Sequence, residues 1–168
     1  MSLNFMDAVC QTHSSRKKFG LCDDPPPANN PAYIDEANGA KWIAVVVNEY
    51  EYHCTFTAVD NCIDIRKLSG KPDKRCEGIL SYNDTIIFVE LKQRGALGPD
   101  WVKTAEEQIK VTIQHFEKTD VAEDFTEKKA YIANSEHPKF KASQTDRMEK
   151  FALETGYVLR IENRIVLL

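Results

Sequence analysis

The chain has 168 residues, of which 42% are hydrophobic, and this is enough for one domain with a substantial core. Its formal net charge of −4 argues against a polybasic, chromatin-type binder. The apolar runs are far shorter than the ~20 residues of a membrane-spanning helix, and the N-terminus lacks the pattern of a secretory signal. We therefore expect a cytoplasmic protein without a membrane partner.

The number and spacing of the cysteines are also typical of a cytoplasmic protein. They are odd in number, show no C-x-x-C spacing and follow no signal peptide, so we expect five reduced thiols. They are Cys10, Cys22, Cys54, Cys62 and Cys76.

Residues 14–32 are the least patterned part of the chain. They carry a basic cluster and three consecutive prolines, which predict a loop or arm. The runs WIAVVV (42–47) and YHCTFTAV (52–59) are rich in β-branched and aromatic residues and predict two strands of a hairpin.

The segment 74–92 is the best-defined element. Two strand-like runs flank Asn83-Asp84, a pair that tolerates the positive φ of a tight turn, so a second hairpin is predicted here.

Helical periodicity then predicts a helix at about 100–117, packed on the sheet by one apolar stripe. A strand at 129–135, a helix at about 140–154 ended by Gly156, and a terminal hairpin of YVLRI and IVLL complete the chain. The order predicts a single α/β domain with a central mixed β-sheet flanked by helices. The stripe comprises Trp101, Ala105, Ile109, Ile113 and Phe116.

A turn at Asn83-Asp84 sets the register of the hairpin. It places Glu77 opposite Glu90, with Lys92 two residues beyond Glu90 on the same face and Arg75 opposite Lys92. Opposed carboxylates repel each other, and a divalent cation with hard oxygen ligands offsets that repulsion. The alternative is a solvated face on which Lys92 and Arg75 only pair with the two acids.

These residues resemble a known superfamily. The segments CEGIL and FVELK in a hairpin, followed by a helix that carries a glutamine, are similar to the core of the PD-(D/E)xK, or restriction-endonuclease-like, nucleases. The run VDNC (59–62) and the later strand fit a branch of small members, and the similarity covers roughly residues 55–135.

The resemblance implies a role for each residue of the patch. Glu77 and Glu90 would bind Mg²⁺ or Mn²⁺ together with the backbone carbonyl of Leu91, and Lys92 would be the catalytic lysine. Glutamate at position 77 departs from the usual aspartate of the family.

Gln108 lies on the helical stripe and either supports the site or reaches solvent. Arg75 is the second candidate for a supporting role, and Glu36 is a weaker candidate for a further acid.

The implied activity is hydrolysis of phosphodiester bonds in nucleic acid, and we expect DNA. Residues 66–103 carry a net charge of +3 within the acidic chain, so a groove here could contact phosphates. The alternative is a catalytically inactive binding or regulatory protein on the same fold, or a subunit that needs a partner chain for DNA contacts. The oligomeric state, including a homodimer, stays open.

Overall fold

The computed structural model describes residues 3–92, 100–135 and 144–168. Within these ranges the chain forms ten strands and two α-helices. The helices are α1 (Asp100–Glu117) and α2 (Thr145–Thr155). The strands are β1 (Gln11–Ser14), β2 (Lys18–Cys22), β3 (Tyr33–Asp35), β4 (Ala44–Val47), β5 (Cys54–Ala58), β6 (Gly78–Tyr82), β7 (Thr85–Lys92), β8 (Glu127–Asn134), β9 (Val158–Ile161) and β10 (Arg164–Val166).

The larger sheet has six strands in the order β1-β5-β6-β7-β8-β9. Pairing is antiparallel from β1 to β7 and parallel from β7 to β9. The expected α/β fold with a mixed sheet is therefore confirmed. The long strand β7 lies inside the sheet, and all of its residues except Lys92 are buried.

The two faces of β7 contact different layers. Ile86 and Phe88 pack in the core beneath α1 and α2, whereas Ile87, Val89 and Leu91 pack against the second sheet. This alternation follows from the period of two along a strand, and it explains why β7 reads as a continuous apolar run. Both helices therefore cover one face of the six-stranded sheet, and a second sheet covers the other.

The second sheet has four strands in the order β10-β4-β2-β3. Two of the predicted hairpins do not form, because β4 and β5 lie in different sheets and so do β9 and β10. The apolar pattern of a strand indicates that it is buried but does not identify its partner, and here each pair of consecutive strands separates into the two layers.

The predicted loop or arm at 14–32 is wrong for its first half. Residues 18–22 form β2 inside the second sheet, where Phe19 and Leu21 are fully buried. This strand pairs with β4 on one side and with β3, the next strand along the chain, on the other, and the proline-containing segment 23–32 separates β2 from β3. Residues 23–32, which include the prolines, form no helix or strand.

Both helices agree with their patterns. The bounds of α1 are those predicted, and four residues of its stripe are buried while Trp101 packs at the edge of the core. The second helix begins at Thr145, residues 140–143 lie outside the described ranges, and Gly156 caps it with φ of 79°. Neither described helix is long and apolar enough to cross a bilayer.

The prediction of five reduced thiols is wrong for two of them. Cys10 and Cys62 form a disulfide across a sequence separation of 52, while Cys22, Cys54 and Cys76 are free and buried. The N-terminal turn packs beside the loop that follows β5, and this long-range proximity has no signature in the spacing of the cysteines.

The close packing of β6 against β5 gives a direct test of the sheet. A Cβ atom added at Gly78 would collide with the ring of Phe56, which is fully buried. We expect Gly78→Ala to lower the free energy of unfolding by about 1–3 kcal/mol in urea denaturation, because the ring has to move within a packed core.

Gly39→Ala is the matched control, since a Cβ there meets no atom within 4 Å. We expect its effect to stay within about 1 kcal/mol of wild type. Equal stability of the two variants would contradict the packing of Phe56 over Gly78.

Candidate functional site

The β6–β7 hairpin positions the candidate residues. Its turn contains Asn83 at φ of 48°, and its register pairs Tyr82 with Thr85 and Gly78 with Val89, as predicted from the sequence. Glu77 comes directly before β6 and Glu90 directly after Val89, so the two glutamates lie side by side just beyond the last pair of the ladder. Glu90 continues the row of β7 that faces the helices, which includes Ile86 and Phe88.

Glu90 is a fully buried carboxylate. Its Oε1 accepts a hydrogen bond of 3.0 Å from the backbone N–H of Glu77. Its Oε2 lies 3.4 Å from Nζ of Lys92 but makes no hydrogen bond. A buried carboxylate oxygen without a hydrogen bond is costly, so the second oxygen of Glu90 is the group in this region that most needs a ligand.

Lys92 and Gln108 join the strand to the helix. Lys92 Nζ donates a hydrogen bond of 3.2 Å to the side-chain carbonyl of Gln108 on α1, so the glutamine reaches the site and not only solvent. The same ammonium group pairs with Glu90, which leaves it between the carboxylate and the helix. Asn134, buried at the end of β8, pairs in register with Lys92 and was not anticipated as a neighbour of the site.

The backbone of β7 orients the carbonyl of Leu91. The carbonyl of Lys92 accepts a hydrogen bond from the N–H of Ser135 on the β8 side. Successive carbonyls of a strand point in opposite directions, so that of Leu91 points toward the side of Glu77. Its side chain packs in the core between the two sheets.

The two glutamates perturb each other's titration. Burial raises the pKa of Glu77, and the neighbouring charge of Glu90 raises it further. Burial also raises the pKa of Glu90, against the opposing effect of Lys92. The pair therefore retains protons at pH values above the range in which glutamate ordinarily ionises. This is expected when two carboxylates share a site that is poorly solvated.

Two further acids lie near the pair. Asp60 and Asp23 both contribute to the raised pKa of Glu77, and burial together with Asp60 and Asp24 raises the pKa of Asp23 to about 6. Asp60 lies here because the N–H groups of residues 59 and 60 bond to the carbonyl of Glu77. It belongs to the run VDNC, whereas Asp23 follows β2 and no local pattern marks it as part of the site.

Arg75 does not take the predicted position opposite Lys92. The ladder of β6 begins at Gly78, and the Arg75 guanidinium pairs with Asp60 at 3.0 Å. Glu36 lies elsewhere, beside Arg16 and Ser14 at the far end of β1.

The segment 73–76 is attached to α1 by three side chains of the helix. Thr112 Oγ1 accepts a hydrogen bond of 2.8 Å from the buried N–H of Cys76, His115 pairs with Asp73 at 2.9 Å, and Glu107 pairs with Lys74 at 3.0 Å. These helix residues recur at intervals of three to five, so they share one side of α1. The helix therefore holds in place the backbone that leads into Glu77.

Comparison with known proteins adds no assignment. No family model matches the sequence, and no curated protein or solved structure shows significant similarity to it. The functional assignment therefore rests on the residues of the site. Within the described ranges, no three His, Cys, Asp or Glu side chains are grouped so that they could hold a metal ion by themselves.

Thr112 tests the attachment of this backbone to α1. We expect Thr112→Val to lower the free energy of unfolding by about 1–3 kcal/mol in urea denaturation, because it leaves the N–H of Cys76 buried without an acceptor. Thr104→Val on the exposed side of the same helix is the control and should change stability by no more than about 0.5 kcal/mol. A mild effect of Thr112→Val would mean that the hydrogen bond does not secure this segment.

The raised pKa values predict how the metal-free protein responds to pH. A group whose pKa is higher in the folded state binds its proton more tightly there, so its contribution to stability is present in acid and is lost as the pH rises. We expect the melting temperature in EDTA to fall between about pH 5 and about pH 9, and we expect Glu77→Gln to reduce this fall.

Glu123→Gln, which changes an exposed glutamate, should retain the wild-type slope. Parallel curves for wild type and Glu77→Gln would show that the two carboxylates do not interact as described.

Proposed function

We propose that this protein is a metal-dependent phosphodiesterase that hydrolyses nucleic acid, with DNA as the expected substrate, on a restriction-endonuclease-like core. The observation that carries the proposal is the fully buried carboxylate of Glu90, whose Oε2 has no hydrogen bond, beside Glu77 and within ion-pair distance of Lys92.

The donor set fits a hard divalent cation such as Mg²⁺ or Mn²⁺. Glu77, Glu90 and the carbonyl of Leu91 supply oxygen atoms, and Mg²⁺ is often held by one or two carboxylates while waters and substrate phosphate complete its shell. The raised pKa values of both glutamates support this fit, because a cation replaces the protons that the pair otherwise retains. A site of this kind needs no cluster of three protein carboxylates.

Each side chain has a distinct task in this proposal. The cation would stabilise the charge that develops on the phosphate and on the leaving oxygen. Lys92 would orient or deprotonate the attacking water, and its hydrogen bond to Gln108 limits the positions that its ammonium can occupy. Gln108 is a positioning residue. Arg75 would contribute only indirectly, because its guanidinium pairs with Asp60.

The topology around the site supports the proposed core. An antiparallel hairpin, β6–β7, is followed by α1 and then by β8, which pairs parallel to β7. Glu90 and Lys92 lie on the face of this unit that α1 covers. The glutamate at position 77 extends one methylene further than the aspartate of the family that the chain resembles, and this departure favours the inactive alternative.

A catalytically inactive binding or regulatory protein is the second candidate. The specific observation in its favour is that both oxygens of Glu90 have a partner within the chain: Oε1 accepts a hydrogen bond from the N–H of Glu77, and Oε2 forms an ion pair with the ammonium of Lys92. In that case the cluster only stabilises the end of the hairpin. Metal binding and cleavage distinguish the two candidates.

Substitutions at Lys92 and Glu90 test the proposal. We expect Lys92→Ala to reduce Mg²⁺-dependent cleavage of plasmid or linear DNA by at least about a hundredfold, because it removes the group that acts on water. We expect Glu90→Ala to lose activity through metal affinity, so that excess Mn²⁺ restores part of it but does not rescue Lys92→Ala. Lys118→Ala, which changes an exposed lysine directly after α1, serves as the control.

Thermal shift gives a second readout for metal binding. Wild type should melt at a higher temperature in Mg²⁺ or Mn²⁺, and Glu77→Gln should lose this rise while the metal-free variant stays at least as stable as wild type. A wild-type protein that neither cleaves any nucleic acid nor shifts with either metal would leave the inactive binding protein as the remaining candidate.

A further inference from the structure

A short hairpin of basic residues precedes the site. We call residues 65–73 the basic turn. Arg66 bridges Pro72 in an antiparallel pair, and the N–H of Asp73 bonds to the carbonyl of Ile65 at 2.9 Å. The same register places Lys67 directly opposite Lys71, with residues 68–70 at the tip.

Hydrogen bonds within the basic turn hold its two arms together. Lys67 N–H bonds to the carbonyl of Lys71, and Gly70 N–H bonds to that of Lys67, each at 2.9 Å. The Arg66 guanidinium donates a hydrogen bond of 2.7 Å to the carbonyl of Gly70. Gly70 adopts φ of 88°, which the tight tip requires, and Ile65 is fully buried at the base.

The tip presents Leu68 to solvent. Its relative exposure of 110% is the highest among the large hydrophobic side chains in the described ranges. A single exposed leucine is ordinary on a protein surface, so the exposure gains meaning only from what surrounds it. A leucine at the end of a narrow, hydrogen-bonded turn has the shape of a wedge.

The two lysines below the tip lie opposite each other without an ion pair among the described residues. Like charges directly opposite each other in an antiparallel pair destabilise it, and neither Lys67 nor Lys71 has an ion pair within 4 Å among the described residues. The nearby carboxylate of Asp73 is already paired with His115, and that of Asp64 with Arg66. A phosphate backbone would offset this repulsion from outside.

The basic turn is attached to the candidate site. It runs into residues 73–76, which His115, Glu107 and Thr112 hold against α1, and these lead directly into Glu77. An anchored connection means that a ligand held at the tip is held in a defined relation to Glu77 and Glu90.

We propose that the basic turn enters a groove of duplex nucleic acid, with Lys67 and Lys71 on phosphates and Leu68 wedged between neighbouring bases. Apolar side chains inserted in this way partly unstack a base step and bend the duplex. The inference rests on the proposed function in taking nucleic acid as the substrate, and it adds that the substrate is a duplex deformed beside the site.

An anionic membrane is the other surface that a basic turn with an apolar tip could contact. One inserted leucine and two lysines give only weak binding to a bilayer surface. A duplex, in contrast, can contact the anchored site as well as the tip. The duplex is therefore the favoured ligand.

The experiment uses a labelled duplex of about 20 base pairs that carries 2-aminopurine at successive positions, because this base brightens when it unstacks. Binding is measured by anisotropy in Ca²⁺ at several salt concentrations, and cleavage by gel in Mg²⁺. We expect Lys67→Ala/Lys71→Ala to weaken binding at least about tenfold and to reduce the slope of log K against log salt by about 2.

Leu68→Ala is expected to keep most of the affinity and to lose the 2-aminopurine signal that wild type produces at one step. Leu153→Ala is the matched control, because Leu153 is 89% exposed on α2. Far-ultraviolet circular dichroism and melting temperature should match wild type for all of these variants, since the substituted side chains are exposed.

Any of three results would overturn the inference. It fails if wild type does not bind the duplex, or if Leu68→Ala and the lysine variant behave like Leu153→Ala. Binding to vesicles of phosphatidylserine and phosphatidylcholine that depends on Leu68, without a duplex signal, would assign the turn to a membrane and also overturn it.

Cleavage separates this inference from the proposed function. If wild type cleaves DNA and Leu68→Ala retains the wild-type 2-aminopurine signal, the inference alone fails. If wild type unstacks the duplex through Leu68 but cleaves nothing in Mg²⁺ or Mn²⁺, the proposed hydrolysis fails and the inference stands.

Discussion

The burial of the Glu90 carboxylate is the constraint on which the candidate site depends. An apolar row on β7, which includes Ile86 and Phe88, ends in Glu90 and Lys92 on the face covered by α1. A carboxylate there is tolerable only if charge and hydrogen bonds compensate for the lost water, and the N–H of Glu77 and the ammonium of Lys92 do so in part. Because this compensation is incomplete, burial still raises the pKa of both glutamates.

The helix α1 has two roles that come from its different sides. Its apolar stripe forms the core over the six-stranded sheet, which gives the helix a fixed position. Its polar groups then use that position: Gln108 receives the hydrogen bond of Lys92, and Thr112 holds the backbone of Cys76. Because the packed core fixes the helix, these hydrogen bonds hold Lys92 and the backbone of Cys76 in defined positions at the ends of two strands. A charged group that takes part in catalysis needs such a defined position.

Charge is distributed unevenly over an acidic protein. The acids Asp23 and Asp60 add negative potential near the two glutamates, and this disfavours an approaching phosphate unless a cation is bound. The basic turn, with Lys67 and Lys71 opposed, offers the contrasting surface nearby in the chain. Under the proposed function, attraction of a polyanion to the turn and its acceptance at the site would be separable steps, and the salt dependence of binding and the metal dependence of cleavage would report on them individually.

Local features of the sequence were sufficient for the elements that local forces determine. The Asn83-Asp84 turn set the register of β6–β7 and brought Glu77 beside Glu90, and the stripe from Trp101 to Phe116 predicted α1 with its bounds. Non-local contacts decided the rest: the division of the strands into two sheets, the burial of Phe19 in β2, the disulfide of Cys10 and Cys62, and the approach of Asp23 to the site. The reason is physical. Turn geometry and helical periodicity depend on residues a few positions apart, whereas the partner of an apolar strand is chosen by the packing of the whole chain.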